Sequence, residues 1–79
     1  MFSTRRIQLK ILEYLRSRGR GVSERELYEY IRREVEISWS KFEFLIMALE
    51  IEGFVSVRTL KDSRNRIISL REQGSTQRY

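Results

Sequence analysis

Apolar residues recur along this chain three times with the period of a helix and then twice with the period of a strand. In "STRRIQLKILEYLRSRGRG", Ile7, Ile11, Leu12 and Leu15 fall on one helical face. Ser3 or Thr4 stands where an N-cap belongs, and the basic run 16–21 ends the helix with Gly19 as a left-handed stop. In "VSERELYEYIRREV" the spacing of Ser23 and Glu26 is that of a capping box, and Leu27, Ile31 and Val35 make the buried stripe, flanked by Tyr28 or Tyr30. Val22, just before that cap, is either a short strand residue or a hydrophobic staple.

The third helix lies in "ISWSKFEFLIMALEIEGFV". Ser38 or Ser40 caps it, Ser40 having the capping-box partner Glu43, and Gly53 stops it. At 100° per residue Phe42, Leu45, Ile46 and Leu49 form a core face, with Trp39 at its edge. "FVSVRTL" and "RIISL" then alternate as strands around the polar turn "KDSRN". The final "REQGSTQRY" has no apolar period and reads as a flexible tail. The expectation is a single α+β domain over residues 1–71, ordered α-α-(β)-α-β-β, followed by a tail over 72–79.

Charge changes the picture once it is divided along the chain. The net +5 is +5 over residues 1–22, −2 over 23–38, −2 over 39–54 and +4 over 55–79, so the basic character sits at the two ends. A basic chain of this size suits a nucleic-acid partner. With no His and no Cys, the commonest general base, zinc ligands and disulfides are all missing. Glu24, Glu26 and Glu29 with Tyr28 and Tyr30 could be imagined as an acid/base site, but a charged helix surface explains them without further assumption. The expectation is therefore a non-enzyme with no cofactor, no metal site and no small-molecule substrate. The sequence shows neither a membrane-length apolar run nor a signal-peptide core, which implies no membrane partner and an intracellular, cytoplasmic protein. Many Arg and Glu, one Asp and few Asn or Gln suit a thermophilic, archaeal source.

The segments "KILEYLRSRGRGVSERELYEYI", "ISWSKFEFLIMALEIEGFV" and "VRTLKDSRNRIISL" together resemble the winged helix-turn-helix family of archaeal and bacterial transcriptional regulators. Their most specific part, Leu49, Glu50, Gly53, Phe54 and Val55, is similar to the passage from the recognition helix into the wing in that family. The resemblance implies three helices and a β-hairpin wing, with double-stranded DNA as the partner. This sequence departs from the family on the outward side of the third helix. Arg, Lys, Ser, Asn or Gln usually meet base edges there, whereas this chain places Phe44, Met47 and Ile51, with Ser40 and Ala48 beside them. Glu43 and Glu50 lie on one flank, Lys41 and Glu52 on the other.

Two readings of function follow. In the first, the chain is a small DNA-binding regulator. The wing residues Arg58, Lys61, Arg64, Asn65 and Arg66 then contact the phosphates or minor groove, as do Arg18 and Arg20 of the loop after the first helix. Ser38, Ser40 and Lys41 add the positive N-terminal end of the third helix, which lies at the major groove or partly in a homodimer interface. In the second, Phe44, Met47 and Ile51 dock another protein, and the chain is a subunit or adaptor of a transcription, replication or membrane-remodelling assembly.

Overall fold

The computed structural model describes residues 3–61 and 65–71. The expected turn residues 62–64 and the expected tail, residues 72–79, lie outside the described residues. In chain order the elements are α1 (Thr4–Arg18), β1 (Val22–Ser23), α2 (Glu24–Glu34), α3 (Trp39–Ile51), β2 (Val55–Thr59) and β3 (Arg66–Leu70). Local chemistry sets most of the boundaries. The hydroxyls of Ser3, Ser23 and Ser38 accept from the backbone N–H groups of Arg6, Glu26 and Lys41, so each helix begins on a serine cap.

Gly19 closes α1 and Gly53 follows α3, both at positive φ (68° and 87°), where a side chain would be strained. Past α3, Phe54 N–H donates to Leu49 O and Gly53 N–H to Glu50 O. This paired pattern satisfies the last carbonyls and turns the chain directly into β2.

β3 is the middle strand of a three-stranded antiparallel sheet in the order β1-β3-β2. Val22 is thus a strand residue: it lies opposite Ile68, and Val57 lies opposite Ile68 from the other side. That row faces the helices. Ile68 and Val55 are fully buried with Ile11, Leu15, Leu27, Ile31, Phe42, Leu45, Ile46 and Leu49 in one core. Full burial of each large aliphatic side chain stabilises by about 1.5–3 kcal/mol, and in so short a chain the whole fold rests on this cluster. The stripe expected on α1 shifts slightly: Gln8 is buried beside Ile7 and Ile11, while Leu12 is half-buried. Gln8 Nε2 donates to Leu45 O at 3.3 Å, which explains how a polar group is tolerated between α1 and α3. Gly21, just before β1, has no room for a side chain, because a Cβ there would stand 2.7 Å from Ile67 Cγ2.

Candidate nucleic-acid interface

The first turn of α2, the first turn of α3 and the turn end of the β2–β3 hairpin, where Thr59 pairs with Arg66, converge. They do so because β1 leads directly into α2 and is itself paired with β3, so Glu24 and Arg25 emerge beside Arg66. Ser38 is the cap of α3, which leaves Trp39 and Ser40 exposed on the first turn. Glu24, Arg25, Trp39, Asn65 and Arg66 line a cleft of about 120 Å³. Arg25, Tyr28, Glu29 and Trp39 line a second of about 230 Å³, so Arg25 and Trp39 are the wall common to both.

Trp39 is 40% exposed. It is fixed by an edge-on contact with Tyr28 (5.0 Å between ring centroids) and a tilted one with Phe42 (5.7 Å). Tyr28 is itself anchored by its hydroxyl, which donates to Ile37 O at 2.9 Å.

The sequence-derived contacts divide into four groups. Ser40, Asn65 and Arg66 meet around this junction. Arg58 and Lys61 are exposed on the hairpin, and Lys41 is exposed with its ammonium 5.7 Å from the Phe44 ring centroid. Arg64 lies outside the described residues. Arg66 is less available than its place in a basic turn suggests. Its guanidinium is held by Glu24 (3.6 Å) and Glu43 (3.9 Å), so much of its charge is answered within the molecule.

Arg18 and Arg20 are not brought to the junction. Their loop packs by Ser69 and Leu70, at the other end of β3 from Arg66. The four-residue step from Arg66 to Leu70 separates the two regions by roughly 13 Å along the strand. Arg18 is also occupied, lying 3.6 Å from Glu26 and 5.8 Å from the centre of the Tyr14 ring, and Arg20 Nη1 donates to Gly21 O at 3.0 Å.

Arg25 escaped the sequence reading. It sits in a stretch whose net charge is negative, and only its position one residue past the buried Glu24 brings it to the cleft. The acids and tyrosines of α2 disperse to separate partners. Glu26 accepts from the Tyr14 hydroxyl at 2.6 Å, Glu29 lies 3.8 Å from Arg32, and Tyr30 stacks on Tyr14 at 4.3 Å. The bond to Glu26 favours the protonated phenol and, with burial, raises the Tyr14 pKa. Burial raises the Glu24 carboxyl pKa; Arg66 opposes that shift and Glu43 adds to it.

The outward face of α3 stays open among the described residues: Phe44 is 55% exposed, Met47 47% and Ile51 78%. A groove of about 380 Å³ runs along it, lined by Ser40, Glu43, Phe44, Met47, Glu50 and Arg66. No group of three or more His, Cys, Asp or Glu able to hold a metal ion occurs among the described residues, and none of their helices is long and apolar enough to cross a membrane. Compared with known proteins, the chain matches no family model, no curated protein and no solved structure.

Proposed function

We propose that the chain is a winged-helix protein, with the β2–β3 hairpin as its wing, that binds duplex DNA mainly through the sugar-phosphate backbone as a small cytoplasmic regulator. One observation carries this reading: the first turns of α2 and α3 and the turn end of the hairpin meet on one face, around the exposed Trp39 and Arg25. Ser40 and Lys41 stand at the positive end of α3, while Arg58 and Lys61 add exposed positive charge on the hairpin. Backbone contact fits the side chains better than base readout does. Phe44 and Met47 offer no hydrogen bonds to base edges, and Glu43 and Glu50 beside them would meet phosphates unfavourably. Arg18 and Arg20, at the far end of β3, have no part in this face.

The test is a titration of a labelled duplex, followed by anisotropy at several salt concentrations, with the protein and its Arg58→Ala/Lys61→Ala variant. The expected result is steep salt dependence whose log–log slope falls by about 2 in the double variant, with affinity lost alike on different sequences. An unchanged slope removes the hairpin from the mechanism. No binding at low salt ends the DNA reading.

A second reading is favoured by a different observation, the open apolar face of Phe44, Met47 and Ile51. There the chain self-associates or docks a partner protein through α3. Sedimentation at high concentration separates the forms. A dimer abolished by Phe44→Glu/Met47→Glu supports self-association, and a strict monomer leaves only a different protein as partner.

A further inference from the structure

We propose that the outer face of α3 is one half of a two-helix seam and takes an amphipathic helix of another protein whose edges are basic. This rests on the protein-docking reading of α3 and names the partner's chemistry. Phe44, Met47 and Ile51 follow one another at steps of three and four, the spacing of the a and d positions of a heptad repeat. With Phe44 and Ile51 at a, Met47 and Ser40 take d, and all four are exposed along about three turns of helix. The core residues Phe42, Leu45, Ile46 and Leu49 fall at b, c and f. One helix therefore serves its own core with one side and offers a seam with the other.

The positions flanking such a seam decide which partner it accepts. Both g positions are acidic: Glu43 and Glu50 lie one heptad, about 10 Å, apart and line the groove beside Phe44 and Met47. Arg66 lines the same groove but is already turned to Glu24 and Glu43, whereas the Glu50 carboxylate has no ion-pair partner among the described residues. The e edge carries Lys41 and Ala48, so acids outnumber the base. A second copy is a poor occupant. Antiparallel pairing about a two-fold axis sets g against g, so the acidic edges of the copies meet; parallel pairing sets g against e and leaves Glu43 opposite Ala48. A helix with apolar a and d positions and Lys or Arg along its edges answers both acids.

The probe is a labelled synthetic helix of about three heptads with Leu at a and d and Lys at e and g; its twin carries Glu at e and g. Both are titrated with the protein at low salt and followed by anisotropy. The whole chain carries +5, so unspecific attraction favours the Glu peptide, and preference for the Lys peptide belongs to α3. The expected result is binding of the Lys peptide at concentrations about fivefold lower than its twin requires, with the gap closing at high salt. Glu50→Lys, an exposed position, should reverse that order once circular dichroism shows the variant folded. Phe44→Ala should weaken both peptides alike. Equal binding, preference for the Glu peptide, no binding by either, or an order unchanged in Glu50→Lys overturns the proposal.

Sedimentation run in parallel separates this proposal from the reading beneath it. Equal binding of both peptides that is lost in Phe44→Ala sinks the basic partner and keeps protein docking at α3. No peptide binding, with a dimer abolished by Phe44→Glu/Met47→Glu, hands the face to a second copy. No peptide binding by a strict monomer sinks both.

Discussion

The two sides of α3 carry much the same residue types and meet opposite fates. On one side Phe42, Leu45, Ile46 and Leu49 are fully buried; on the other Phe44, Met47 and Ile51 are exposed, Met47 the least at 47%. Composition cannot distinguish Phe42 from Phe44. The distinction comes from phase: positions 42, 45, 46 and 49 point at α1 and the sheet, and a step of two residues turns a phenylalanine from core to surface. The inner side makes the fold, and the outer side is free to make an interface. The difference teaches that a helix apolar all round needs a reason outside its own domain.

The sharpest way to break this comparison is to truncate one phenylalanine on each side. Phe42→Ala empties a fully buried site between Tyr28, Trp39 and the core, and should cost about 3–5 kcal/mol, enough to leave little folded protein. Phe44→Ala should stay within about 0.5 kcal/mol of the parent in dilute solution. Urea unfolding followed by far-UV circular dichroism measures both. A large loss at Phe44 would mean that its ring is covered in the folded monomer.

The start of α3 sharpens the contrast at a smaller scale. Ser38 accepts the Lys41 N–H at 3.1 Å, so Ser38→Ala should cost about 1 kcal/mol. Ser40, exposed on the next turn face, should tolerate Ala with no measurable change in stability while weakening duplex binding. Equal stability losses at the two positions would place the cap elsewhere.

What the sequence disclosed follows the range of the interactions concerned. The inner face of α3, the Ser23 cap and the stops at Gly19 and Gly53 were all legible, because each is decided within a turn or two of chain. β1 was legible only as one of two alternatives, since two residues show no alternation and their strand character comes from pairing with β3. The partners of Arg66 were not legible at all: Glu24 and Glu43 belong to different helices and reach it only in the fold. Arg18 and Arg20 read as a second basic cluster serving the same DNA as the wing, and only the path of β3 puts their loop at the opposite end of that strand from the junction. Arg25 was hidden in the opposite way, by averaging its charge with acidic neighbours that face elsewhere.

The smallest expected effect concerns the border of the outer face, where Glu24 and Arg66 meet. Burial raises the Glu24 pKa above the usual carboxylate range even though Arg66 works against that shift. The folded state therefore holds this proton more tightly than the unfolded chain does. Between the unfolded pKa and the raised folded one, the folded state binds more protons, so stability falls as pH rises through that interval and levels off above it. Glu24→Gln has no proton to lose there and should remove this component of the decline, leaving a flatter stability curve just above the ordinary carboxylate range. Its stability at neutral pH balances two changes, relief of a desolvated charge and loss of the partner that holds Arg66. The informative readout is thus the slope against pH rather than the value at any one pH. A variant that keeps the parent's slope would assign the titration to another carboxylate. It would also show Glu24 ionised at little cost, a sign that the cleft is wetter than its geometry implies.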